Sequence, residues 1–436
     1  METSFDVIVI GGGSAGLALS KEAARRGAAV LLIERDKLGG TCVNRGCVPK
    51  KMMWSVSDAL QTQAAMVSQG FLSEGSRLDF AKLAAVRAEK IADIVDSFDD
   101  QLDEAGVQHL VGDAILQAYD TVLVGDTAYT TDRIVLATGT RPSPLDIEGG
   151  ELMDLSDDVF EWNTVPQSLV VIGGGYIGSE MAAIFNGFGS QITIVSNSPA
   201  VLTEFSEAAQ NLAAQNLTAS GVSLVLDVKP TEVAVKDGKF QVKLTDGTEL
   251  EAERVLNATG RDPNLDVFGD LEHPEQADTG ALAVDEGFKT SIDGIYAIGD
   301  IADRLPLTPV AREDGEVLAK QLFGAPETKP IDLDKVSTTA FVFPPIGEVG
   351  KTSGLTEITT FTAMEALIAD KDASEGWALE RDGNGGLAGV AVVGHAAAEA
   401  VSWAGLSVHA GLTRADMNET VAVHPSRAEE PLGSQR

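Results

Sequence analysis

Two glycine-rich turns restrict this chain more than any other feature: Gly11-Gly12-Gly13-Ser14-Ala15-Gly16 and Gly173-Gly174-Gly175-Tyr176-Ile177-Gly178. Each follows a short apolar run, Phe5 to Ile10 in one case and Leu169 to Ile172 in the other, suited to a parallel strand buried on both faces. Each leads into a helical pattern. In such a turn the first glycine allows the tight reversal, the second lets backbone approach a pyrophosphate, and the third lets helix pack on strand. The helix N-terminus then faces the anion. One such turn is weak evidence; strand, turn and helix repeated predict two dinucleotide-binding units.

The strands that follow differ at their ends. Ala28 to Ile33 runs into Glu34, near the spacing at which an acid binds a ribose hydroxyl. Ile192 to Val195 runs into Ser196-Asn197-Ser198, with no carboxylate for a free 2′-hydroxyl and no arginine for a 2′-phosphate. Small polar donors there favour the phosphate. Thr138-Gly139 closes the first unit and Thr259-Gly260-Arg261 the second, and Gly299-Asp300 places an acid at the end of a further strand. Prolines at 142 and 144 mark a crossing between domains, and from about residue 334 Thr/Phe/Val-rich strands and alanine-rich helices predict an α+β domain. The expected organisation is a first dinucleotide-binding domain over residues 1–145, a second over 146–264, a return to the first over 265–333, and a C-terminal domain over 334–436.

Only two cysteines, Cys42 and Cys47, occur among 436 residues, with four residues between them. A disulfide closing so short a loop contributes only about 2 kcal/mol as a staple. A chain of this length builds its core without one. A redox pair cycling between disulfide and dithiol is the economical reading; two inert cysteines that lie close together are the alternative. With 66 acidic against 32 basic residues the formal charge is −34, which opposes nonspecific binding to nucleic acid or anionic membrane. No apolar run approaches the roughly 20 residues of a membrane span. The N-terminus leads straight into a strand, so a cytoplasmic protein is expected. No metal site is expected.

The stretch Gly39-Gly40-Thr41-Cys42-Val43-Asn44-Arg45-Gly46-Cys47-Val48-Pro49-Lys50, with the two glycine turns, the Gly299-Asp300 strand and the terminal His424-Pro425, resembles the flavoprotein disulfide reductases of the glutathione reductase and dihydrolipoamide dehydrogenase type. The resemblance spans nearly the whole chain, and Val48-Pro49-Lys50-Lys51 is most similar to the glutathione reductase branch. It implies two Rossmann-like domains, for FAD and NAD(P)H, and a C-terminal α+β dimerisation domain. FAD would lie along Gly11, Gly13, Ser14, Ala15 and Gly16, with Glu34 on the adenosine ribose, Asp300 on the ribityl chain, and Thr41, Thr138 and Thr308 as further contacts. NAD(P)H would use Gly173, Gly175, Ile177, Gly178, Asn197, Ser198, Gly260 and Arg261, with Tyr176 swinging aside as nicotinamide enters.

The resemblance also implies residue roles. Cys47 would be the flavin-facing thiol, Cys42 the interchange thiol that attacks a low-molecular-weight disulfide, and Lys50 would pair with Glu180 beside the flavin. His424, oriented by Glu429, would be the acid–base; imidazole suits that task near neutral pH. In this family the histidine serves the other subunit's site, so a homodimer is implied. Three substrate-side positions depart from the glutathione reductase pattern: Glu316 and Lys21 stand where arginines are expected, and Phe98 where a tyrosine is expected. Glu316 is expected to repel a substrate carboxylate and to make glutathione disulfide a weak substrate. A dihydrolipoamide dehydrogenase-like activity, or flavin-dependent reduction of a quinone or metal ion, remains the alternative.

Overall fold

The computed structural model describes residues 3–73, 77–361 and 375–433. The chain divides into two compact units: Met1–Lys50, Ala85–Ser143 and Arg261–Ile331 form one, and Lys51–Ala84, Pro144–Gly260 and Asp332–Arg436 the other.

In the first unit, five parallel strands lie side by side in the order Ile295–Ala297, Ile134–Leu136, Val7–Ile10, Val30–Glu34 and Gln108–Val111. Val7–Ile10 is apolar throughout because both its faces are covered, by Leu17, Leu19 and Leu318 on one side and by Leu116, Val267 and Phe268 on the other. The helix Ser14–Arg25 packs so closely on Thr308–Leu322 that a β-carbon on Gly315 would stand 2.4 Å from the Ala15 carbonyl oxygen. That close crossing brings the start of the second helix beside the first glycine turn. A three-stranded antiparallel sheet, Ala114–Ala118, Thr121–Val124 and Thr127–Thr130, and the ribbon Thr140–Pro142 with Arg261–Pro263 complete the unit.

The second unit repeats the plan. Its parallel strands run in the order Ser223–Val225, Gln191–Val195, Ser168–Ile172, Arg254–Asn257 and Asp154–Leu155. The repetition extends to single hydrogen bonds. Gly11 N–H donates to Ile33 O and Gly173 N–H to Val195 O, each at 2.8 Å, and Ala137 and Ala258 donate to Ile10 O and Ile172 O at the same distance. A five-stranded antiparallel sheet, Thr338–Ala340, Ile346–Gly350, Leu387–Val393, Glu375–Arg381 and Glu357–Phe361 in spatial order, carries the C-terminal part, covered by the helix Ala397–Ala410. Among the described residues no helix is long and apolar enough to cross a membrane.

Candidate active site

The first glycine turn is a cradle shaped by absent side chains. Gly11 holds φ at +110°, and a β-carbon there would stand 2.3 Å from the Ala137 carbonyl oxygen; one on Gly16 would stand 1.9 Å from Gly11 O. At Gly13 it would meet only the α-carbon of Gly40, at 3.8 Å, so the space over this glycine is open. Glu34, at the end of the adjoining strand, accepts a hydrogen bond from Gly12 N–H at 2.6 Å through one oxygen and from Asp36 N–H at 2.9 Å through the other. Asp300 follows the strand Ile295–Ala297, and a β-carbon on its neighbour Gly299 would lie 3.1 Å from that of Ala15. Burial pushes its carboxyl up, partly opposed by the Arg261 guanidinium. An open diphosphate cradle, a carboxylate at its rim and a half-buried acid beside it fit an FAD-type dinucleotide.

The cysteine loop lies against this cradle. Gly39 (φ +94°) starts the short helix Gly40–Asn44, and the Asn44 side-chain amide donates to Leu38 O and Gly40 O at 3.0 Å each, holding the loop closed on itself. Cys47 then begins the helix Cys47–Ser68, an end of a helix that favours an anion. Both cysteines are thiols, Cys42 half-buried and Cys47 exposed. Their closeness shows in the titration of Cys42. A hydrogen bond with the Cys47 sulfur, then burial, push its thiol far above the ordinary cysteine range, while hydrogen bonds with Thr308 and Ser14 partly oppose them. Cys47 Sγ lies 3.6 Å from Thr308 Oγ1. Ser14 opens the helix of the glycine turn and Thr308 opens the helix packed against it, so the dithiol sits where both helices begin. Thr41 is exposed, and its carbonyl accepts from Arg45 N–H at 2.9 Å.

Other positions in this unit are fixed by partners that the sequence reading did not single out. Thr138 donates through Oγ1 to Asn264 O and accepts at its own carbonyl from the Asn264 amide, both at 2.8 Å. Arg261 donates to Thr140 Oγ1 at 2.9 Å and to Thr140 O at 2.8 Å, so its guanidinium is turned to Thr140 and Asp300. Lys21, Phe98 and Glu316 do come together. The Lys21 ammonium is 5.9 Å from the Phe98 ring centroid, and Phe98 packs where a β-carbon on Gly39 would lie, 3.0 Å away. Glu316 faces cations: Arg312 Nε at 3.2 Å, Lys320 Nζ at 3.9 Å, and Lys21, whose ammonium feels its charge. The repulsion expected of Glu316 is therefore offset locally. Its four-residue spacing from Arg312 on one helix was the available signal.

In the second unit, Gly173 (φ +113°) and Gly178 repeat the tight contacts of Gly11 and Gly16, with β-carbons that would stand 2.3 Å from Ala258 O and 1.9 Å from Gly173 O. Ile172 pairs with Val195 as Ile10 pairs with Ile33, so Ser196 takes the place that Glu34 holds in the first unit. Asn197 is exposed, and Ser198 N–H donates to Ser196 Oγ at 3.2 Å. Ile177 is half-buried on the helix Tyr176–Gly187. The Tyr176 hydroxyl is hydrogen-bonded to Thr338 Oγ1, and its ring packs on Phe205 with centroids 5.1 Å apart. Glu180 is buried and accepts from Phe341 N–H at 2.8 Å. Near the C-terminus His424 Nδ1 lies 2.9 Å and 3.1 Å from the two Glu429 oxygens. Glu429 also accepts from Ser426 N–H at 2.9 Å, and that bond, with His424, holds its carboxyl below the usual range.

A doubled nucleotide fold with a dithiol lodged at one of its cradles defines a class, the nucleotide-linked dithiol–disulfide oxidoreductases. The family model for pyridine nucleotide-disulphide oxidoreductases matches residues 5–315, and the dimerisation domain of the same family matches residues 336–433. The chain belongs to that family. It is 34% identical over 438 residues to a glutathione reductase of Burkholderia cepacia, covering 98% of this chain and 97% of the relative. It is 33% identical over 457 residues to a glutathione reductase of a Nostoc species, covering 99% of each, and 32% identical over 463 residues to one of Yarrowia lipolytica, covering 98% of each. The expected α/β fold with a C-terminal dimerisation domain stands, and the protein is an FAD-linked, NAD(P)H-dependent disulfide reductase.

Proposed function

We propose that this enzyme reduces a glutathione-disulfide-like, carboxylate-bearing small disulfide, and does so as a cytoplasmic homodimer with NADPH as the favoured reductant. The single observation that carries the dithiol chemistry is the seat of Cys42 and Cys47 between Ser14 and Thr308 at the FAD cradle. FAD, when bound at this cradle, would supply the redox chemistry that passes an electron pair from NADPH to the Cys42–Cys47 disulfide. Glu34, Asp300, Thr138 and the glycine turn would hold it, and Lys50 and Glu180 are read as the pair beside its ring. His424 takes the Cys42 thiol proton. The Cys42 thiolate attacks one sulfur of the substrate disulfide, a mixed disulfide forms, and one substrate sulfur leaves as a thiolate that receives that proton back from His424. Cys47 thiolate then attacks the Cys42 sulfur, releasing the second thiol and restoring the Cys42–Cys47 disulfide. The histidine is read as serving the partner subunit's dithiol.

Two features support the finer choices. Lys21 and Arg312 offer cations to a substrate carboxylate despite Glu316. Ser196, in register with Glu34, puts no carboxylate where a 2′-phosphate would lie. The test is NADPH and NADH oxidation with glutathione disulfide, lipoamide, coenzyme A disulfide and cystine. Glutathione disulfide with NADPH is expected to give the highest kcat/KM. Arg312→Ala should raise KM for glutathione disulfide about tenfold, as loss of a charged hydrogen bond does, and leave neutral lipoamide unaffected. Preference for lipoamide with NADH would contradict the proposal, and turnover of quinones or metal ions alone would replace it.

A further inference from the structure

The two glycine turns share the backbone hydrogen bonds given above but differ in what lies over their third glycine. Over Gly13 the space is open; over its counterpart Gly175 the Glu204 carboxylate intrudes, with Oε1 3.1 Å from where a β-carbon would stand. Backbone contacts bring Glu204 to the turn. Leu202 N–H donates to Gly174 O at 2.7 Å, tying residues 201–205 directly onto the turn. To make that bond Leu202, fully buried, adopts φ +54°, a left-handed conformation that costs a branched, non-glycine residue about 1–2 kcal/mol. Val201 packs within 3.2 Å of the place of a Gly174 β-carbon, and Phe205 N–H donates to Leu202 O at 2.9 Å. Phe205 is held on Tyr176, and Ser206 N–H donates to the buried Glu348 at 3.0 Å. With its neighbours pinned on both sides, exposed Glu204 is held within reach of the turn, and its carboxylate lies over it. Its charge is also felt by the Tyr176 phenol, together with those of Glu180 and Glu348.

We infer that Glu204 is an affinity-setting residue of the pyridine-nucleotide site: its carboxylate stands over the turn where the nucleotide diphosphate must settle, and every nucleotide has to displace it. The inference rests on reading the second glycine turn as the NAD(P)H site. It explains why a glutamate lies at an anion cradle, where like charge opposes the ligand that the helix end favours. The effect acts on the diphosphate and is thus shared by NADPH and NADH.

Calorimetric titration of the FAD-loaded enzyme at fixed ionic strength tests this, with NADP+, ADP-ribose and adenosine 2′-monophosphate as probes. Glu204→Gln should tighten NADP+ and ADP-ribose by about two- to fivefold, the range for loss of one exposed like-charge contact. Binding of adenosine 2′-monophosphate, which lacks the diphosphate, should not change. Glu161→Gln, which removes a charge elsewhere on the same unit, should change none of them. Wild-type binding with no gain in Glu204→Gln, or an equal gain for adenosine 2′-monophosphate, would overturn the inference alone. A wild type that binds neither NADP+ nor ADP-ribose would overturn the nucleotide-site reading and the inference with it.

Discussion

His424 presents Nδ1 to both carboxylate oxygens of Glu429, at 2.9 Å and 3.1 Å, which leaves Nε2 as the nitrogen able to exchange a proton. The Ser426 N–H bond keeps Glu429 ionised at pH values where an ordinary carboxyl begins to protonate, so the orienting anion persists throughout the working range of an imidazole. His424→Ala should lower kcat for disulfide reduction by about 10²–10⁴-fold, the usual contribution of a general acid–base. Glu429→Gln should lower it less. Reduction of the bound flavin by NADPH, followed by stopped flow, should stay unaffected in both. A loss confined to flavin reduction would contradict the assignment.

The raised titration of Cys42 has a cause that can be removed. Its first contributor is the hydrogen bond with Cys47, followed by burial. A thiol held above its ordinary range carries less thiolate at neutral pH. Removing Cys47 should therefore lower the pH at which Cys42 ionises and speed its alkylation. In Cys47→Ala, iodoacetamide labelling of Cys42 at pH 7 should be on the order of tenfold faster than in the dithiol-reduced wild type, with its pH midpoint shifted downward. Labelling that is unchanged or slower would show that burial alone sets the Cys42 titration.

Two glycines of the same turn should fail differently. A β-carbon on Gly16 would lie 1.9 Å from the Gly11 carbonyl oxygen, so Gly16→Ala should destabilise the fold by about 1–3 kcal/mol, as overpacking does. On Gly13 it would meet nothing nearer than Gly40 at 3.8 Å, so Gly13→Ala should fold normally and yet weaken FAD, whose diphosphate needs that space. Urea unfolding of the apoproteins and fluorescence titration with FAD separate the two effects. Equal loss of stability in both variants would argue that Gly13 serves packing alone.

The parts of this site legible in the sequence are those set by local geometry. The glycine turns, Glu34 at the strand end, and the His424 to Glu429 spacing each depend on residues close in the chain, and each gives the local geometry found here. What escaped depends on pairings made by folding. Asn264 locks Thr138 from 126 residues away, and Leu202 must adopt its left-handed conformation before Glu204 can reach Gly175. Glu316 is instructive in a different way. Its identity alone pointed to repulsion of the substrate, whereas Arg312 one turn earlier and Lys320 one turn later change the charge that a ligand meets. Both spacings were visible; their consequence needed the helix.

Cys42 and Cys47 are proposed to act as one redox couple at the flavin, with Cys47 nearest to it. Long-wavelength absorbance of the FAD-loaded Cys42→Ser and Cys47→Ser variants, recorded without substrate or reductant at pH 8, tests this most directly. A Cys47 thiolate beside the flavin predicts a charge-transfer band in Cys42→Ser and none in Cys47→Ser. A band only in Cys47→Ser would reverse the two roles, and no band in either variant, with FAD bound in both, would contradict the placement of the dithiol against the flavin.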